Sequence, residues 1–136
     1  MTNQTSVTEA SRQVVKRLYE MGAAGNVEGF LACLHKDVEI HEPGCLPFGG
    51  LYRGIAAVQQ LLSKAGQLLD FRILYVEAIV AEGDRVWVTV RTAVAGTGAP
   101  VLVAEESIVR DGKIFRLRAF YFDPTIVINA AAAAVK

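Results

Sequence analysis

The stretch Val101–Phe122, VLVAEESIVRDGKIFRLRAFYF, decides how this chain folds. Two runs rich in β-branched and aromatic residues flank Asp111-Gly112, and a two-residue hairpin turn of this type requires positive φ, which Gly supplies without strain. The segment therefore predicts antiparallel strands near 100–110 and 113–122. Toward the N-terminus, turn signals at Gly96-Thr97-Gly98 and Glu82-Gly83-Asp84 bound two more runs of the same kind, near 85–95 and 70–81. Four consecutive strands form a meander.

The first half of the chain follows a different period. Val7, Ala10, Val14, Val15, Leu18 and Met21 fall three and four residues apart, one face of a helix that Ser6 or Thr8 can cap and Gly22 and Gly25 can end. Asn26 is a natural N-cap for a shorter helix carrying Val27, Phe30, Leu31 and Leu34. Asp37–Glu42 alternates Val38, Ile40 and Glu42 against Glu39 and His41, which predicts a short strand with one carboxylate on its apolar side. Residues 43–54, PGCLPFGGLYRG, are too rich in Pro and Gly for regular structure and read as a shaped loop. Ile55, Val58, Leu61, Leu62, Ala65 and Leu69 give a third helix. The Ala130–Ala134 run is of low complexity, a terminal helix or a tail. The expectation is one domain over 1–136, with a core at about 7–125 and a tail at 126–136.

The order α-α-β-α-β-β-β-β excludes a parallel βαβ fold, because helices cluster early and strands late. It predicts an α+β domain in which a curved antiparallel sheet packs against three N-terminal helices and leaves a cone-shaped cavity, the ordinary place for a ligand. A chain of 136 residues hides roughly 70% of its unfolded surface on folding, enough for one real core. Apolar residues make up 52% and charged residues 21%, so some apolar surface is left for a pocket or a subunit interface. Fourteen basic residues balance fourteen acidic ones, which argues against nucleic acid and anionic membranes as partners. The N-terminal MTNQTSVTEASRQ lacks the features of an export signal, and the expected location is the cytoplasm, with Cys33 and Cys45 as free thiols. His35 and His41 match no zinc spacing, and neither Gly49-Gly50 nor Gly96-x-Gly98 has the context of a phosphate loop, so neither metal nor cofactor is expected.

Several motifs, taken in order, resemble one family. They are the helix pair joined at Gly25-Asn-Val-Glu28, the stretch Asp37-Val-Glu-Ile-His-Glu-Pro43, the loop Leu46-Pro-Phe-Gly-Gly50, the Tyr52-Arg-Gly54 lead-in to the third helix, and the final Ala119-Phe-Tyr-Phe-Asp-Pro124. Over about residues 7–125 the chain resembles the nuclear transport factor 2-like superfamily, in particular SnoaL-type polyketide cyclases and ketosteroid isomerases. One such cone hosts isomerases, cyclases, hydratases, epoxide hydrolases and binding proteins, so the resemblance implies a fold before it implies a reaction.

The resemblance also implies site residues. In ketosteroid isomerases the proton-moving carboxylate directly precedes a proline at the end of the first strand, and Glu42 before Pro43 matches that place. Two donors hold the oxyanion there, a first-helix tyrosine and a protonated aspartate on the penultimate strand. Leu18 falls at the tyrosine's place, with Tyr19 one residue and about 100° of helix away. Glu106 falls at or beside the aspartate, while a different register would turn it outward and leave Glu105 or neither inside. SnoaL-type cyclases carry an acid-base aspartate on the last strand, which makes Asp123 a second candidate. Strand alternation puts Phe115, Leu117, Ala119, Tyr121 and Asp123 on one face. Leu18, Phe48, Leu117, Ala119 and Tyr121 are thereby candidate walls of a substrate site.

The leading expectation is a cofactor-free enzyme that uses Glu42 or Asp123 for proton transfer on a hydrophobic, carbonyl-bearing small molecule, in an isomerisation, cyclisation or dehydration. A ligand- or protein-binding module without catalysis is the alternative. A limonene-type epoxide hydrolase, which needs an inward arginine from among Arg72, Arg91, Arg116 and Arg118, stands third. Val86, Val88 and Val90 alternate with Trp87, Thr89 and Arg91, so both sheet faces carry sizeable side chains. This predicts a homodimer through the outer face of the sheet.

Overall fold

A computed structural model of the chain describes residues 4–134. Its first helix, α1 (Gln4–Ala23), buries Ser11, Val15, Leu18 and Tyr19; of the stripe read from the spacing, Val15 and Leu18 are buried, Val7, Val14 and Met21 half-buried and Ala10 exposed. It begins before the expected caps. Thr8 lies within it, and its hydroxyl accepts the Gly83 N–H at 2.8 Å, tying the helix to a strand turn. A short α2 (Val27–Ala32) is capped by Asn26, whose side chain accepts the Gly29 N–H at 2.8 Å.

The next elements are β1 (Leu34–Glu42), β2 (Gly50–Arg53), α3 (Ile55–Gly66), a single 3₁₀ turn at Phe71–Ile73, β3 (Tyr75–Glu82), β4 (Arg85–Ala93), β5 (Pro100–Arg110), β6 (Lys113–Tyr121) and α4 (Thr125–Ala134). The six strands form one curved, unclosed sheet in the order β2-β1-β6-β5-β4-β3. The hairpin read from Asp111-Gly112 is present, with Arg110 opposite Lys113 and both turn residues at positive φ, 55° and 72°.

Five features differ from the expectations, the first being that Leu34, read as part of the second helix, opens β1 three residues before the expected Asp37. The sheet is mixed, because β1 runs parallel to β6 with Ile40 beside Leu117, while every other pairing is antiparallel. The chain reaches this arrangement because β1 arrives from the helical half and fills the edge that β6 would otherwise leave open. Residues 50–53, read as loop, pair with β1, Glu42 facing Gly50 and Ile40 facing Tyr52. The strand expected near 70–81 starts only at Tyr75, after the 3₁₀ turn that Asp70 caps. The expected tail is the helix α4, in which Val127 is fully buried against the core, so its apolar run has a packing role.

The strands' inner face carries Val86, Val88 and Val90 of β4, Val101 and Val103 of β5, Leu117 and Ala119 of β6, and Val38 and Ile40 of β1, all buried. α1 packs over β3 and β4, whereas α3 packs over β1 and β2. The middle of the sheet lies under the gap between the two helices, and the cavity forms there. No helix among the described residues is long and apolar enough to cross a membrane.

Candidate active site

The cavity holds about 270 Å³. Leu18 and Tyr19 of α1, Leu61, Leu62 and Ala65 of α3, Ile40 and Glu42 of β1, Glu105 of β5, and Leu117 and Tyr121 of β6 all line it. Phe48 closes one side, and the α1–α2 turn from Met21 to Phe30, with Phe71 and Leu74, forms the other. Among the described residues, only Tyr19, Asn26, Glu42, Glu105 and Tyr121 bring polar side chains, and no Lys, Arg or His lines the space.

Each polar group arrives by local logic. Glu42 is the last residue of β1 and shares the inward face with Val38 and Ile40. Glu105 sits opposite Val88 on one side and Ala119 on the other, so it rises from the inner face between two apolar neighbours. Tyr19 reaches it from α1, its hydroxyl donating to Glu105 Oε1 at 2.7 Å. The Glu42 Oε2 atom is buried and has no hydrogen-bond partner among the described residues.

Burial, and then the charge of Glu105, push the Glu42 carboxyl up to about 9. Burial also raises Glu105, and the Tyr19 hydroxyl opposes that rise. Tyr19 is raised by burial and then by Glu105, and Tyr121 by burial and then by Glu42 and Glu105. Both tyrosines are therefore O–H donors over the whole working range. An apolar cavity that holds two carboxyls and no cation favours at most one negative charge on the pair near neutral pH.

The structure brings together Glu42, Tyr19, Leu18, Phe48, Leu117 and Tyr121. It does not place Glu106 or Asp123 with them. Glu106 points to the outer face, where Arg85 and Arg118 donate to its carboxylate, Arg118 Nε at 2.8 Å, and Arg116 approaches to 3.8 Å. Desolvation opposes ionisation there, yet the hydrogen bonds and charges of Arg118 and Arg85 outweigh it and hold Glu106 below the usual carboxylate value. The residue is 1% exposed because arginine side chains cover it, although it lies outside the core.

The reason for this correction is a bulge. An unbroken ladder from the Arg110–Lys113 pair would set Glu106 opposite Leu117 and turn it inward. The register shifts between Ile108 and Val109, where Phe115 is an extra residue on β6, so Leu117 faces Ser107 and Ala119 faces Glu105. Glu105, the alternative that a different register leaves inside, is thus the glutamate in the cavity, in step with the alternation of Val101 and Val103 ahead of it.

Asp123 lies beyond the end of β6 and is exposed. Its carboxylate accepts the Thr125 N–H at 3.1 Å and the Thr125 hydroxyl at 2.5 Å, which makes it the turn leading into α4. Ala119 is buried beside Glu105 without lining the cavity. The arginines stay outside: Arg72 pairs with Asp70, Arg91 with Glu77, and Arg116 and Arg118 with Glu106. The inward arginine that an epoxide hydrolase needs is thus missing from this cavity.

The loop after Glu42 is also more fixed than its composition implies. Leu46 and Phe48 are buried, the Tyr52 hydroxyl donates to the Phe48 carbonyl at 2.8 Å, and a Cβ on Gly49 would stand 2.3 Å from the Pro43 carbonyl oxygen. The cavity wall reaches solvent instead at the α1–α2 turn, where Val27 is 54% exposed.

Known proteins share this architecture. Residues 15–117 match the model of the SnoaL-like domain family. An uncharacterised protein of Mycobacterium tuberculosis is 28% identical over 120 residues, which span 85% of this chain and 92% of the relative. Among solved structures, a nuclear transport factor 2-like protein of Burkholderia xenovorans is 28% identical with a TM-score of 0.72, covering 90% of this chain and 96% of its own. TerC, crystallised with polyporic acid, is 24% identical with a TM-score of 0.78, covering 90% and 98%. A Kribbella flavida protein described as a candidate ketosteroid isomerase is 20% identical with a TM-score of 0.72, covering 85% and 80%. The last two likenesses are of fold.

Proposed function

Since the chain belongs to the SnoaL-like domain family of the nuclear transport factor 2-like superfamily, we propose that it is a cofactor-independent enzyme of isomerase or cyclase type. It moves a proton on a neutral, apolar, carbonyl-bearing small molecule. The observation that carries this reading is the unpartnered, buried carboxyl of Glu42 in a cavity that also holds the Tyr19–Glu105 pair. A buried carboxyl with nothing to bond is costly, and such costs persist where the missing partner is a ligand. A carboxylate can take a proton from carbon next to a carbonyl, and neutral O–H groups can hold the oxygen as it gains charge.

The lining also restricts the substrate. With no cationic side chain among the described residues that line the cavity, a carboxylate or phosphate group would be repelled by the acidic pair and desolvated without compensation. Enones, 1,3-dicarbonyls and phenolic ketones fit this chemistry. The test is proton–deuterium exchange at carbon in D₂O, followed by NMR over a panel of such compounds. The wild type should exchange at least one of them, and the double variant Glu42→Gln/Glu105→Gln should lose roughly 100-fold or more. Binding of the same compounds with no exchange would favour a ligand-binding module instead.

The second part of the reading concerns assembly. Val80 pairs with Trp87 across β3 and β4, and the Trp87 ring lies 5.6 Å from Phe120, making an apolar stripe on the outer face; Trp87 is 38% exposed. A second copy of the chain is the proposed cover, joined about a twofold axis. Sedimentation giving a dimer that Trp87→Arg dissociates supports it, and a monomeric wild type ends it.

A further inference from the structure

Both carboxyls in the cavity are candidates for the group that takes the proton, and their surroundings are unequal. Tyr19 donates to Glu105 Oε1 at 2.7 Å, while Glu42 Oε2 is buried and accepts no hydrogen bond from the described residues, the nearby Tyr121 hydroxyl included. We propose that Glu105 is the carboxylate that takes the substrate proton, with Glu42 as the neutral O–H donor that holds the developing oxyanion, because only Glu105 has a hydroxyl in place to stabilise its charge. The inference rests on the proton-transfer reading above and assigns its roles.

The groups facing the pair come from every wall. Tyr19 stands on α1 and Tyr121 on β6, both neutral, and among the described residues no Lys, Arg or His lines the cavity. One negative charge therefore has no ionic partner and settles where a hydrogen bond receives it. Burial and the neighbouring charge keep Glu42 protonated at neutral pH, in keeping with this placement.

The step balances without any further reactant. The C–H bond beside the carbonyl breaks, its proton forms an O–H bond on Glu105, and its electron pair becomes the C=C bond of an enolate as the carbonyl π pair moves to oxygen. The Glu42 hydroxyl donates to that oxygen. Where the enolate is conjugated with a second C=C bond, return of the proton from Glu105 to the far carbon completes an isomerisation; attack of the enolate carbon on a second carbonyl, whose π pair moves to oxygen and takes the proton back from Glu105, completes a cyclisation.

The experiment uses 5-nitrobenzisoxazole, a neutral planar probe that loses its C3 proton to a base, breaks its N–O bond and opens to a coloured cyanophenolate. Elimination at pH 7 should fall roughly 100-fold or more in Glu105→Gln. It should stay within about 10-fold in Glu42→Gln, whose amide still donates. Tyr19→Phe should move the rate's midpoint to higher pH, since it removes the hydroxyl that opposes the rise of Glu105. Infrared spectra at neutral pH give a readout that needs no turnover: the carbonyl stretch of a protonated carboxyl should disappear in Glu42→Gln and persist in Glu105→Gln. The reverse pattern in either measurement overturns the assignment while leaving the proton-transfer reading intact. Wild-type elimination no faster than free acetate overturns that reading itself.

Discussion

Glu105 and Glu106 are consecutive residues on one strand, with the same side chain, and they live under opposite physical conditions. Glu105 faces an apolar cavity with one tyrosine hydroxyl for company, and its carboxyl is raised. Glu106 faces outward into Arg85, Arg116 and Arg118, and its carboxyl is lowered. Strand alternation alone separates them, since a pleated chain sends successive side chains to opposite faces. The comparison shows that a perturbed carboxylate has meaning only with its partners. Arginine-covered Glu106 is satisfied and structural, whereas Glu105 and Glu42 keep an uncompensated cost in a space where a ligand fits.

Neutralising one glutamate at a time separates the two environments most sharply. Glu105→Gln should cost roughly 100-fold or more in turnover of any true substrate with little loss of stability, and Glu106→Gln should leave turnover within about threefold. Equal losses in the two variants would show that the faces are not functionally distinct.

Stability should respond in the opposite sense. Glu106→Ala leaves three arginines crowded without their shared acceptor and should destabilise by about 2 kcal/mol, reduced from the value for a buried pair because the arginines are 34–50% exposed at the side chain. Glu105→Ala removes a buried carboxyl and should cost less, as thermal or urea melts would reveal.

Glu42 adds a pH signature. Its folded-state value, about 9, lies above the ordinary 4.5 of a glutamate, so the native state holds a proton that the unfolded chain has released between those limits. The stability tied to this proton is full below about pH 4.5 and is lost as pH rises toward about 9. Glu42→Gln, which cannot ionise, should therefore melt higher than the wild type at pH 8 and nearly equal to it at pH 4, the gap being on the order of 5 kcal/mol. Turnover should also decline as pH passes about 9, where ionised Glu42 no longer donates and a second charge enters the cavity.

The smallest effect belongs to Asp123. Asp123→Ala removes the acceptor for the Thr125 N–H and hydroxyl and should cost about 1 kcal/mol, with turnover unchanged. A large loss of turnover would place this aspartate back among the candidate acids.

Elements whose causes are local were legible from the residues alone. Helical spacing in α1 and α3, the Asn26 cap, the Asp111-Gly112 turn and the inward alternation of Glu42 all arise from interactions within a few residues, so each could be read directly. Only the tertiary structure decided the rest. The parallel seat of β1 beside β6, the pairing of Gly50–Arg53 with β1 and the burial of Val127 depend on surfaces that meet from distant parts of the chain. Phe115 is the sharpest case. Nothing in the residues around it marks a bulge, yet that single insertion into the β5–β6 ladder shifts every later pair by one and decides which of two adjacent glutamates enters the cavity. A side-chain period of two makes register all-or-none, and register is settled by the packing of the whole sheet against α1 and α3, beyond the reach of any local pattern.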